Sequence, residues 1–348
     1  MTTSKHLNLL SLYREILNKF VLYPARLSKL IRFIRKKLSP YPYLYIFLRR
    51  TAKLFWWILT FKILMKIRHY RASRNPVRIH NFEYILSKQM EKRTLPAFSE
   101  YEVLLEFDNK KNSEVTICIP NYNYAKYIEH ALNSVKNQTI TNLDLVLVDD
   151  HSTDHSLPFV KEWIIKNRTR FNRAVLARNK INSGLVLTRN TACSLAKTQF
   201  IFPFDSDNFL FPKCIEKCLI SIKKSGAFFA YPTMEFFGEK FGLFNNIDYH
   251  SQTFLKGNYI DAMALIRRLT WAVIGGYSQK LNRLGVEDHD FWLRCVEFGF
   301  FGVHVPKKLA RYRIHRDSML QSTTKLPENQ KKISEQLTTD HPWIILDG

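Results

Sequence analysis

The stretch QFIFPFDSDNF, residues 199–209, decides how the rest of the chain is read. Five of the six residues from Phe200 to Asp205 are Phe, Ile or Pro, the pattern of a strand buried on both faces. Asp205 and Asp207 follow at once, so the strand opens into a polar loop where a ligand can meet two carboxylates. The D-x-D spacing alone decides little, because it recurs at Asp288-His289-Asp290. That second copy opens a helical pattern, where acidic residues in the first turn suit the helix dipole.

Upstream of 199–209, short apolar runs alternate with helical stretches. VTICIP (115–120) reads as a strand, after which Ile128, Ala131, Leu132 and Val135 mark one face of a helix. LDLVLVDD (143–150) is the next strand, Phe159 to Ile165 a helix, AVLAR (174–178) a strand, and Leu185 to Ala196 a helix leading to FIFPF (200–204). The alternation predicts an α/β domain whose central sheet is mostly parallel and covered on both sides. Ligands of such sheets bind beyond the carboxyl ends of the strands. Those ends carry Pro120-Asn121-Tyr122, Asp149-Asp150, Asn179 to Gly184, and Asp205-Ser206-Asp207. Any single Asp after a strand serves as a helix cap or turn residue; four polar loops on one edge point to a site.

Charge separates the chain into two parts. Residues 1–80 hold 18 Lys or Arg against Glu15 alone, so +17 of the total +23 lies in the first quarter of the 348 residues. In this part cations interleave with Trp, Tyr, Phe and Leu, as in YPYLYIFLRRTAKLFWWILTFKILMKIRHY (41–70). The longest charge-free run in this part, Leu38 to Leu48, is far short of the ~20 residues that span a bilayer, and so is Leu54 to Phe61. Aromatic rings mixed with long cations suit the headgroup boundary, so the favoured reading is helices lying on an anionic membrane surface. The alternatives are a helical subdomain with solvated cations, and a nucleic-acid-binding arm. The second has more Leu, Ile and Phe than a phosphate-binding face requires and leaves the acidic loops unexplained, so no nucleic-acid partner is expected. Residues 81–112 read as a connector, 113–320 as the catalytic domain and 321–348 as a tail.

Five scattered cysteines, 118, 193, 214, 218 and 295, argue against a disulfide framework and for a reducing compartment. Cys214 and Cys218 lie one helical turn apart, but no second Cys or His pair stands at zinc spacing, so core packing is their expected role. With no cleavable secretion signal read at the N terminus, the expected location is cytoplasmic, peripheral on the inner face of the cell membrane.

IPNYNYAKYIEHALNSVKNQT, LVLVDDHSTDHS, NSGLVLTRNTACSLAKTQFIFPFDSDN, GGY, GVEDHDFWLRCVEFGF and ARYRIHRDSM together resemble the successive motifs of the family-two glycosyltransferases, inverting enzymes of the GT-A fold. The likeness runs from about Val115 to Met319 and covers neither the basic N terminus nor the last thirty residues. It implies a nucleotide-diphosphate sugar as donor, a UDP-sugar first, a glycan or lipid-linked acceptor, and Mg2+ or Mn2+ as cofactor, in synthesis of a cell-surface polysaccharide or lipopolysaccharide.

Carried onto this chain, the resemblance makes Asp207 a metal ligand and Asp205 the ribose contact, with carboxylate oxygens suiting a hard cation. It sets the nucleoside against Pro120 and Tyr122, with Asp150 accepting from the base and Arg189 approaching the nucleotide or its phosphates. Glu287-Asp288 matches the acidic pair at the acceptor side; the second residue is the expected base, and Glu287 remains the alternative. His315 matches a histidine that completes metal or diphosphate binding. Two positions depart from the pattern: His151 stands where Gly is usual, and Asn208 where Asp is common. The competing reading is a membrane-associated scaffold of the same fold that binds a sugar nucleotide without turning it over.

Overall fold

The computed structural model describes residues 96–343 other than Asp317; the basic segment 1–80, and with it the expected membrane-surface module, lies outside the described residues. In chain order the described residues form β1 (Tyr101–Asp108), β2 (Val115–Asn121), α1 (Ala125–Lys136), β3 (Leu143–Asp149), α2 (Ser156–Asn167), β4 (Arg173–Asn179), α3 (Leu185–Ser194), β5 (Phe200–Pro203), β6 (Phe209–Leu210), α4 (Cys214–Ser225), β7 (Phe229–Gly238), β8 (Gly242–Phe244), β9 (Leu265–Arg267), α5 (Arg268–Val273), α6 (Glu287–Glu297), β10 (Gly302–Ile314) and α7 (Pro327–Asp340).

One sheet runs in the order β1-β4-β3-β2-β5-β9-β7-β10-β6, with β8 paired to β7. Its centre, β4-β3-β2-β5, is parallel throughout, as the alternating pattern predicts. Beyond β5 the three-residue β9 inserts antiparallel between β5 and β7, and β7 then pairs parallel with β10.

Burial follows the two-residue period of the strands. Val115, Ile117, Ile119, Leu143, Leu145, Leu147, Phe200 and Phe202 face one core with Ile128, Leu132 and Val135 of α1, Val160 and Ile164 of α2, and Ile215 and Ile222 of α4. The alternate residues Cys118, Val146, Val148, Val175 and Ile201 are equally buried on the opposite face, where α3 packs on β2 and β3. All five cysteines are buried free thiols, and Cys214 and Cys218 sit within the first core, as expected of packing residues. Among the described residues no helix is long and apolar enough to cross a membrane.

Two segments expected outside the catalytic domain are part of its structure. Residues 101–108, within the expected connector, pair antiparallel with β4 as an edge strand whose residues are mostly half-buried or exposed, so their polar composition does not exclude a strand. The expected tail contains α7, which buries Ile333 and Leu337. At its end, His341 meets Glu297 at 2.6 Å and Asp290 at 3.0 Å, both on α6.

Candidate active site

The chain leaves β2 toward β3 and β4 on one side and returns to β5 on the other, so the loops after β2 and β5 diverge and a crevice opens between them. At the end of β2, Pro120 and Asn121 are buried, while Tyr122, just beyond it, is 42% exposed. Asn121 donates to Asp149 Oδ1 (2.9 Å) and Ser156 Oγ (3.0 Å), tying the ends of β2 and β3 together. His151 adopts φ +62, the left-handed turn for which Gly is the easier residue, and its Nδ1 lies 3.3 Å from the Asn179 carbonyl oxygen.

Asp150, the expected acceptor from the base, is held by the protein's own donors. It is 3% exposed, and its carboxylate accepts hydrogen bonds from Asn179 Nδ2 (2.7 Å), Ser183 N (2.8 Å) and Gly184 N (2.8 Å). It therefore shapes the turn from β4 into α3. Gly184 sits there at φ +89, where a Cβ would lie 2.5 Å from Asn282 Oδ1.

Arg189, expected to approach the nucleotide or its phosphates, pairs with two carboxylates of the protein. The helical period of α3 turns it inward, and at 1% exposure its guanidinium bridges Asp205 Oδ1 (2.7 Å) and Glu287 Oε1, over the Tyr277 ring at 5.2 Å. Burial works against its charge, yet Asp205 and Glu287 hold it protonated well above the ordinary arginine range. The bridge brings the D-x-D loop and the start of α6 together. Removing one member of a buried ion pair typically costs about 3–5 kcal/mol, because the partner charge is left uncompensated.

Asp207 and His315 meet from β5 and β10, with Asp207 Oδ2 3.1 Å from His315 Nε2. Burial pushes the Asp207 carboxyl above the usual range, with the bond from His315 opposing the shift and the charge of Asp205 adding to it. The loop is pinned from β10: Arg313 N donates to Asn208 Oδ1 (2.8 Å) and Arg313 Nε to the Asp207 carbonyl oxygen (2.9 Å). The Arg313 guanidinium also lies over the Phe237 ring at 4.3 Å and the Tyr127 ring at 4.7 Å. Asn208, 1% exposed, is a structural anchor in this loop.

Adjacent donors of an octahedral cation at about 2.1 Å stand about 3.0 Å apart, so Asp207 and His315 have the chemistry and spacing of two neighbouring ligands. Among the described residues no group of three or more His, Cys, Asp or Glu side chains is arranged to hold a metal. A divalent cation held by this pair would take its other ligands from water and phosphate oxygens.

Asp288 lies beside Glu287 in the first turn of α6. Its Oδ2 accepts from Asn258 Nδ2 (3.0 Å) and its Oδ1 from His289 N (2.7 Å). Burial, then the charge of Glu287, pushes its carboxyl up to about 7, with Arg189 opposing. The second D-x-D is structural at its last position: Asp290 is tied to Arg294 Nε (2.9 Å) and to His341.

Asn258, Asp261 and Arg313 complete this region without having been singled out in the sequence. Asp261 is 7% exposed, its Oδ1 accepts from Met263 N (2.8 Å), and burial followed by repulsion from Asp205 and Asp288 drives its carboxyl well above the usual range. The one local signal is NYID (258–261), where Asn258 and Asp261 stand just before the apolar run AMALI.

A family profile described as Glycosyl transferase family 2 matches residues 116–280. Chondroitin synthase of Escherichia coli is 29% identical over 224 residues, 62% of this chain and 31% of that protein. Chondroitin synthase of Pasteurella multocida is 30% identical over 224 residues, 63% of this chain and 22% of that protein. The chain thus spans less than a third of the length of these curated relatives. Among solved structures, S. aureus TarS 1–349 in complex with UDP-GlcNAc aligns with a TM-score of 0.56 at 18% identity, covering 65% of this chain and 66% of that one. The same protein in complex with UDP aligns with a TM-score of 0.52.

Proposed function

Because the chain carries a glycosyltransferase family 2 domain on a GT-A fold, we propose that it moves a sugar from a nucleotide-diphosphate sugar, a UDP-sugar first, to a hydroxyl of a glycan or lipid-linked acceptor in surface-polysaccharide synthesis. The observation that carries this reading is the Asp205–Arg189–Glu287 bridge, which ties the D-x-D loop to the Glu287-Asp288 pair. A scaffold that only binds nucleotide does not need a second acidic group poised beside the first.

In this reading Pro120 and Tyr122 border the nucleoside, with the exposed Tyr122 ring as its platform, and the second oxygen of Asp205 receives the ribose. Asp207 and His315 would hold Mg2+ or Mn2+, which supplies charge neutralisation on the departing nucleotide diphosphate. Asp288 takes the proton from the attacking hydroxyl. A carboxyl near 7 is a stronger base than an ordinary aspartate and is still substantially ionised at neutral pH, the compromise a general base needs. Glu287 is occupied by Arg189, which favours Asp288 of the two. Attack opposite the leaving group inverts the anomeric carbon.

The test is a screen of UDP- and GDP-sugars with Mg2+ or Mn2+, following release of nucleoside diphosphate. Turnover of at least one donor is expected; no release from any donor, with or without added glycan, would contradict the proposal. With an active donor in hand, kcat/KM should rise with pH through about 7, because Asp288 acts only when deprotonated. A rate flat from pH 5.5 to 8.5 would remove Asp288 from the base role.

The proposal extends to residues 1–80, which would hold the enzyme on the anionic inner face of the membrane, near a lipid-linked acceptor. Each cation near such a surface contributes ~1 kcal/mol and is screened within ~8 Å, so charge alone washes off in salt. Phe55, Trp56, Trp57 and Ile58 add an apolar part at about 25 cal/mol per Å² buried. Full-length protein should float with anionic liposomes and be released only partly by high salt. Protein remaining at the bottom of the gradient at low salt would rule out the membrane role.

A further inference from the structure

We propose that Asn258 is a positioning residue for Asp288, holding one carboxylate oxygen so that the group stays in a fixed orientation and in its ionised form. The inference rests on the reading of Asp288 as the base. Asn258 lies in the segment between β8 and β9, thirty residues before its partner. Its Nδ2 reaches Asp288 Oδ2 at 3.0 Å, and its own Oδ1 accepts from Ile260 N at 3.2 Å. That second bond fixes the amide, because only the nitrogen end can donate to a carboxylate.

The same segment is tied to α6 again one turn further on. Trp292 Nε1 donates to the Ile260 carbonyl oxygen at 2.7 Å, and Trp292 follows Asp288 by four residues, on the same helix face. From the other side, Asp261 N donates to Asn245 Oδ1 at 2.9 Å. Residues 258–261 are thus held at both ends, and the Asn258 amide has little freedom to leave the carboxylate. With His289 N on Oδ1, each oxygen of Asp288 carries one donor and keeps a lone pair for an incoming hydroxyl.

The surroundings make this bond count. Asp288 is faced by Glu287 on its own helix, Arg189 from α3, Asp261 from the segment before β9, Tyr277 from the segment before α6, and Tyr312 from β10. Two of those five are carboxyl groups, which disfavour a further negative charge; Arg189 and the two donors favour it. Removing a donor to a charged group there should raise the carboxyl's midpoint by about one pH unit.

Asn258→Asp tests this most strongly, since an Asp retains the acceptor for Ile260 N while replacing the amide donor with a second acidic oxygen. Asn258→Ala removes donor and acceptor together. In full-length protein with 13C-carboxyl-labelled aspartate, the Asp288 resonance is the one missing from Asp288→Asn, and its titration requires no donor sugar. Expected is an upward shift of about one unit in Asn258→Ala and a larger one in Asn258→Asp, matched by the same displacement of the acid limb of nucleoside diphosphate release from UDP-GlcNAc. An unmoved Asp288 midpoint in both variants overturns the positioning role and leaves the base assignment intact. Wild-type turnover by Asp288→Asn overturns the base assignment itself, and the contact then has no catalytic meaning.

Discussion

Asp288→Asn lowers kcat by at least ~10²-fold while donor affinity stays within a few-fold, because the substitution removes proton acceptance and leaves the donor half of the cleft untouched. The amide is isosteric and still accepts from Asn258 Nδ2 or His289 N, so α6 keeps its start. Transfer from a donor with an activated acceptor hydroxyl should lose less, since the base matters most where the hydroxyl is hardest to deprotonate. If donor affinity collapses instead, Asp288 is a donor ligand, and Glu287, released from Arg189, becomes the candidate base.

Asp207→Ala abolishes metal-dependent turnover in a protein that remains folded. It removes one of the two neighbouring donors at the end of β5 and leaves His315 Nε2 without its carboxylate. Asp207 carries a carboxyl destabilised by burial, so its loss need not weaken the fold; what is lost is the group that would draw a cation to the diphosphate. The Asp207 backbone still receives Arg313 Nε, and Asn208 still receives Arg313 N, so the loop is retained. Full turnover by this variant in chelator would falsify the metal assignment.

The central strands and helices were legible because each alternates or recurs at its own period: VTICIP, LDLVLVDD and FIFPF are buried on both faces, as parallel strands must be. β1 was not, since YEVLLEFD lies at an edge with half its surface wet and carries the charge of a connector. The three-residue β9 is too short for any period to register. In the site, the carboxylates at 205, 207, 287 and 288 stand out because they end apolar runs or open a helix.

Burial is what local sequence does not report. Arg189 and Asp150 have the residue types of ligand contacts, and both also make internal bonds that no local pattern reports. Asn258 and Arg313 are invisible for the converse reason: each acquires its role from a partner 30 or 106 residues away.

If the protein binds a nucleotide diphosphate through Asp207 and His315 and performs chemistry at Asp288, metal and base are separable in a binding experiment. Calorimetric titration of UDP, and separately of GDP, into the wild-type protein, Asp207→Ala and Asp288→Asn, each with Mn2+ and then with chelator, tests it most directly. One nucleotide should bind wild-type protein and Asp288→Asn alike, at least ~10-fold more tightly with Mn2+, and Asp207→Ala should lose this metal dependence. Binding of neither nucleotide under any condition, or equal metal dependence in Asp207→Ala, would contradict it.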